Sequence, residues 1–134
     1  MLSFVCDSIL INYVQCNWVF IIFLSDCCKS VEIHATGAAA QKWPHYILDS
    51  FVATSEEHEG AEVYYMKSAD IYLYRDSDNT WRAGDEIGYQ GRIKSVDTAD
   101  CPESNTQWKY ADYDDAEDGW YWHSGDIKVH CSFS

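Results

Sequence analysis

Residues 63–88 read "VYYMKSADIYLYRDSDNTWRAGDEIG", and their composition decides the fold class. Aromatic and β-branched residues dominate the short runs, which suits a pleated, half-buried surface. Along "DIYLYRD", Ile71 and Leu73 alternate with Tyr72 and Tyr74, so a strand here sends the two pairs to opposite faces. "DSDN" at 76–79 supplies residues that tolerate turn geometry, and Trp81 resumes the sheet. The stretch is a hairpin.

The same period extends outward. "VEIHAT" at 31–36 sets Val31, Ile33 and Ala35 against Glu32, His34 and Thr36, the alternation of a half-buried strand. "TGAAAQKWP" at 36–44 reads as a loop, "HYILDSFVAT" at 45–54 as a strand with a bulge, and "SEEHEG" at 55–60 as a polar turn. Downstream, "GRIKSVD", "QWKYAD", "GWYWH" and "DIKVHCS" are further strand candidates. Eight or nine short strands at hairpin spacing predict an all-β fold, a small antiparallel sandwich or barrel without helix.

The chain has 134 residues, room for one domain and an appendage. Hydrophobic residues at 47% and aromatics at 16% are enough for a packed core. The net charge of -13, from 22 acids against 9 bases, repels phosphate backbones and anionic membrane surfaces. Nucleic acid is therefore excluded as a partner, which leaves an extracellular protein or a glycan. Membrane contact is expected only through the N-terminal segment, if that segment is retained.

That segment differs in character. Residues 9–24 are mostly apolar, no basic residue precedes Lys29, and Asp7, Asn12, Gln15 and Asn17 flank or interrupt the run. Residues 1–29 read as a signal peptide or signal anchor with cleavage expected near residues 25–28, a mistaken gene start being the alternative. Residues 30–134 then form a single extracellular module. Cys6, Cys16, Cys27 and Cys28 lie in or beside the leader, which leaves Cys101 and Cys131 to form one disulfide. Such a bridge stabilises by about 3–4 kcal/mol in the chain-entropy model. The expected location is secreted or at the cell surface.

The order "VYYMK", "DIYLYR", "TWRAGDEIG", "CPE", "WKY", "DGWYW", "IKVHC" resembles an uncharacterised, aromatic-rich β repeat module of large extracellular and cell-surface proteins of marine invertebrates and protists. The likeness runs from about Val31 to Ser132. It implies a secreted or surface-displayed module, often found in tandem or beside adhesion domains, and it carries over no catalytic residue.

Several clusters invite chemistry. Asp112, Asp114, Asp115, Glu117 and Asp118 crowd one stretch before Gly119, and calcium takes six to eight hard oxygen ligands. The register does not match an EF-hand loop, since Ala116 and Gly125 fall where ligands belong. "DSDN" at 76–79 also lacks the downstream acid. Calcium is thus the one cofactor candidate, and otherwise none is expected. For sugar stacking, Tyr72, Tyr74 and Tyr121 are the candidate ligand face, with Trp81, Trp108, Trp120 and Trp122 turned to the core. His34 and His130 sit on strands near opposite chain ends, which the fold could bring together. "EEHEG" lacks the second histidine of a zinc-protease helix, and His123, Ser124 and Asp126 are too close in sequence to converge as a triad. Taken together, the residues predict a non-enzymatic recognition or structural module. The alternatives are a lectin-like glycan binder or a calcium-binding adhesion module, and a small secreted hydrolase is the least supported.

Overall fold

The computed structural model describes the backbone of Leu2–Leu10 and Tyr13–Phe20, and residues 27–132 in full. Leu2–Leu10 (β1) and Tyr13–Phe20 (β2) pair antiparallel as a separate two-stranded sheet. The cleavage expected near residues 25–28 falls partly on residues 25 and 26, outside the described residues. Among the described residues no helix is long and apolar enough to cross a membrane.

The module itself is one nine-stranded antiparallel sheet: β3 (Ser30–Ala35), β4 (Phe51–His58), β5 (Ala61–Met66), β6 (Ile71–Arg75), β7 (Trp81–Gly84), β8 (Ile93–Ser95), β9 (Trp108–Asp114), β10 (Gly119–Ser124) and β11 (Ile127–Cys131). The order across it is β10-β9-β8-β7-β6-β5-β4-β3-β11. Strands β3 to β10 form a meander, and β11 returns to pair with β3. The outermost strands β10 and β11 are therefore consecutive in the chain, joined only through Gly125 and Asp126. The two margins of the curled sheet meet at that corner without hydrogen bonding to each other, so the all-β expectation holds but the barrel alternative does not. A groove of ≈ 540 Å³ opens there, lined by residues that include Val96, Trp108, Lys109, Ser124 and Lys128.

Three stretches depart from the sequence reading. Residues 36–44 are not a loop throughout, because Gly37–Lys42 forms a short helix, α1, whose Ala39 is buried. The expected strand at 45–54 begins late, because Pro44 starts a 3-10 turn, Pro44–Ile47, that buries Tyr46. A proline ring fixes φ and removes a donor, which suits the first position of such a turn and not a strand interior. The "polar turn" at 55–60 belongs largely to β4, where an irregularity between Ala53 and Glu57 breaks the alternation and leaves much of the strand exposed. Only Glu59 and Gly60 turn, with φ of 51° and 78°, the left-handed pair that matches hairpin twist.

The main core gathers Val31, Ile33, Phe51, Tyr64, Leu73, Trp81, Ile93, Trp108, Ile127 and Val129. Val63 and Tyr74, also fully buried, stand outside that cluster. Tyr74 lies on the opposite face of β6 from Leu73 and donates its hydroxyl hydrogen to the Tyr89 carbonyl. The segment after β7 folds back against the sheet: Arg92 N–H donates to the Ala83 carbonyl at 2.7 Å. Gly91, at φ +71°, makes that approach, since an added Cβ would stand 2.7 Å from the Ala83 oxygen.

The single Cys101–Cys131 disulfide is corrected to two others. Cys27 bonds Cys101, and Cys28 bonds Cys131. The reason is topological: β11 runs antiparallel to β3 with Cys131 opposite Val31, so the chain end arrives beside Cys28. The two cysteines that seemed part of the leader staple the module.

Candidate functional site

Register places a row of long side chains on the outer face of β7–β10. Arg82 is opposite Lys94, Lys94 opposite Lys109, and Lys109 opposite Ser124. One row along, Ala111 is opposite Trp122, and beyond it Tyr113 is opposite Trp120. Because alternate residues share a face, Trp120, Trp122 and Ser124 stand with the Lys109 and Tyr113 side of β9.

The rings and cations on this face are in contact. Trp120 is 50% exposed. It lies 6.2 Å from Trp43 between centroids and 5.6 Å from Tyr113, edge to face. The Arg92 guanidinium sits 4.9 Å from the Trp120 centroid and 5.5 Å from that of Trp43. Lys94 Nζ is 4.4 Å from the half-buried Trp122 ring, and Arg82 is 5.8 Å from it. Trp43 joins the group from the segment between α1 and the 3-10 turn, held by its indole N–H, which donates to the Ala111 carbonyl at 2.7 Å. Cation–π contacts of this kind are worth about 0.5–1 kcal/mol at exposed sites.

The charges differ in how far they are neutralised. Arg82 is paired with Asp76 at 3.1 Å and Asp78 at 3.0 Å. Burial works against the Asp78 anion, but hydrogen bonds from Thr80 and Arg82 outweigh it and hold its pKa below the usual carboxylate value. By contrast, Lys67, Arg92, Lys94, Lys109 and Lys128 enter no ion pair among the described residues. All but Lys67 lie on or beside β8, β9 and β11, around the open corner of the sheet. Burial lowers the Lys94 pKa, the Arg82 and Lys109 charges add to that, and Asp78 opposes it.

The tyrosines expected to form one ligand face do not converge. Tyr72 is half-buried against Tyr65 at 4.9 Å. Tyr74 is fully buried, which corrects its assignment to an exposed face, because the chain after β7 covers that side of β6. Tyr121 is 42% exposed, but on β10, four strands from β6 in the sheet order. Among the tryptophans, Trp81 and Trp108 are core, whereas Trp120 is turned outward, contrary to expectation. Edge strand β10 has a neighbour on one side only, so no layer covers it.

The acidic stretch is the β9–β10 turn. Asp112 pairs with Lys42 at 2.9 Å, Asp114 accepts the Ala116 N–H at 2.9 Å, and Asp118 accepts the Tyr113 hydroxyl hydrogen; Asp115 and Glu117 are exposed. Among the described residues no three of these acids bring ligand oxygens together. The groups that do come together are Cys27, Cys101 and Glu103, and Cys28, Glu103 and Cys131, whose sulfurs are spent in disulfides. His34 and His130 meet across β3 and β11 with ring centroids 5.2 Å apart, and His34 Nε2 is 3.1 Å from Glu32. Asp126 accepts the Thr36 hydroxyl hydrogen at 2.6 Å, away from His123, whose ring lies against Tyr110.

Sequence reasoning missed Trp43 and Arg92. Their only signal was a tryptophan before a proline in an otherwise small-residue loop. No protein-family model, curated protein or solved structure matches this chain, so the reading of its chemistry rests on its own geometry.

Proposed function

We propose that this chain is a non-enzymatic extracellular recognition module whose binding surface is the outer face of β8–β10, centred on Trp120. The observation that carries the reading is a tryptophan left half exposed at the sheet margin and flanked by Trp43, Tyr113 and Arg92. Flat rings of this size contribute large apolar area at low conformational cost, and exposed clusters of them mark interaction sites. The nearby cations and the Tyr113 hydroxyl supply the polar contacts that orient a ligand.

The extracellular part of the proposal is supported by the two disulfides, which persist in oxidising compartments. The resemblance to repeat modules of surface proteins points the same way. Within recognition, a glycan fits better than a protein partner, because an apolar sugar face stacks on a ring and a narrow strip suffices. The test is a glycan array probed with the folded protein and with Trp120→Ala. Glycan signals that disappear in the variant support the reading, and binding unchanged by the substitution overturns it.

A further inference from the structure

The cross-strand pair Lys94 and Lys109 stands out in a chain with 22 acids. The two lysines are directly opposite on β8 and β9. Like charges in that position repel and destabilise a sheet by up to about 1 kcal/mol. No carboxylate among the described residues forms an ion pair with either of them. Arg82, the next cation in the row, is already held by Asp76 and Asp78. Lys109 also lines the groove at the open corner, together with Lys128, Ser124, Gln107 and Thr106. The one carboxylate in that lining, Asp126, is engaged by the Thr36 hydroxyl.

We infer that the ligand is an acidic oligosaccharide, with a sugar ring stacked on Trp120 and a carboxylate or sulfate seated between Lys94 and Lys109 at the mouth of the corner groove. This inference rests on the proposed recognition surface and deepens it. Trp120 and Trp122 are two residues apart on one strand face, roughly 7 Å. Trp122 stands between the exposed ring and the lysine pair, with Lys94 against its ring. An anion there relieves the repulsion and replaces a missing counter-charge, and Ser124 and Gln107 are hydroxyl and amide groups suited to sugar hydroxyls.

A single-stranded nucleic acid would also combine stacking with charge. It is disfavoured by the β9–β10 turn, where Asp114, Asp115, Glu117 and Asp118 lie at the Trp120 end of the face. A strand carrying a phosphate on every unit would meet those acids, whereas a sugar chain with separated charges can place its anion at the lysines and a neutral unit beside the turn. The net charge of -13 works against any long polyanion for the same reason.

The test is calorimetric titration of the intact disulfide-bonded protein with four probes. These are a galacturonate hexasaccharide, a sulfated galactan hexasaccharide without carboxylates, maltohexaose, and a hexathymidylate. At least one acidic sugar should bind tenfold or more tightly than maltohexaose. The Lys94→Gln/Lys109→Gln variant should reduce it to the maltohexaose level, while Trp120→Ala weakens acidic and neutral sugars alike. Which acidic sugar binds identifies carboxylate or sulfate as the recognised group. Equal binding of neutral and acidic sugars would overturn the anion subsite and leave the platform standing. Acidic binding untouched by Trp120→Ala would overturn the platform. Tighter binding of the hexathymidylate, or no binding of any hexasaccharide, would overturn the inference outright. Folding of the lysine variant is checked by its Tm, which should equal or exceed that of the parent because a repulsion is removed.

Discussion

The indole N–H of Trp43 donates to the main-chain carbonyl of Ala111 across 68 residues of sequence, at 2.7 Å. A loop tryptophan is thereby fixed to the middle of β9, and its ring is presented to Arg92 and Trp120. Trp43→Phe keeps an aromatic ring and deletes the donor. It should cost about 1 kcal/mol, a fall in Tm of roughly 3–5 °C. It should also change Trp120 fluorescence, which a purely local loss of stability would not do.

Disulfide connectivity is directly measurable. Non-reducing tryptic mapping should release one cluster that holds Cys27, Cys28, Cys101 and Cys131 together, since no cleavage site separates the first two. A peptide pair joining Cys101 to Cys131 alone would contradict the structure. With separations of 74 and 103 residues, each bridge should stabilise by about 4–5 kcal/mol in the chain-entropy model. Cys28→Ser/Cys131→Ser should therefore lower Tm by well over about 10 °C.

Gly91 is predicted to be intolerant of any side chain. It sits at φ +71°, and a methyl group there would come within 2.7 Å of the Ala83 oxygen. Gly91→Ala thus combines backbone strain with a main-chain clash. A loss of about 1–3 kcal/mol is expected from the backbone strain alone. Gly60→Ala, also at positive φ but in open space, should cost less, and urea melts of the two variants compare them.

Asp97 provides an acid-side test. It accepts hydrogen bonds from Thr106 N–H at 2.8 Å, Thr106 Oγ1 at 2.9 Å and Gln107 N–H at 3.2 Å. The Thr106 backbone bond foremost, against a smaller burial effect, keeps its carboxyl below the ordinary value of 3.8. A folded-state pKa below the unfolded one contributes stability that is complete above about pH 4–5 and is lost as pH falls through the folded value. Asp97→Asn should therefore be less stable than the parent at neutral pH, with the gap closing below about pH 4. A gap that stayed constant across pH would show that the charge is not responsible.

Most of the fold was legible because alternation survives where one face is buried. Val31, Ile33, Ile71 and Leu73 obey it and lie in the core. It failed to place Tyr74, since a single strand cannot reveal that a later segment covers its other face. It also failed in β4, where an irregularity disrupts the period. The binding surface was half legible. "GWYW" fixed which residues share a face but not which face is covered, because that depends on β10 ending as a margin of the sheet. Trp43 and Arg92 reach the site through tertiary contacts that leave no local pattern. The cysteine pairing was hidden because Cys27 and Cys28 adjoin an apolar run, and only the return of β11 beside β3 makes them neighbours of the chain's far end.

The Cys28–Cys131 bridge has a mechanical consequence. Tension applied between the chain before Cys27 and the chain after Cys131 passes through one covalent link and leaves the nine strands out of the load path. Under pulling, the module behaves as a short inextensible node. It begins to yield as a sheet only once that bond is reduced, so its compliance is set by the redox state of its surroundings and not by strand pairing.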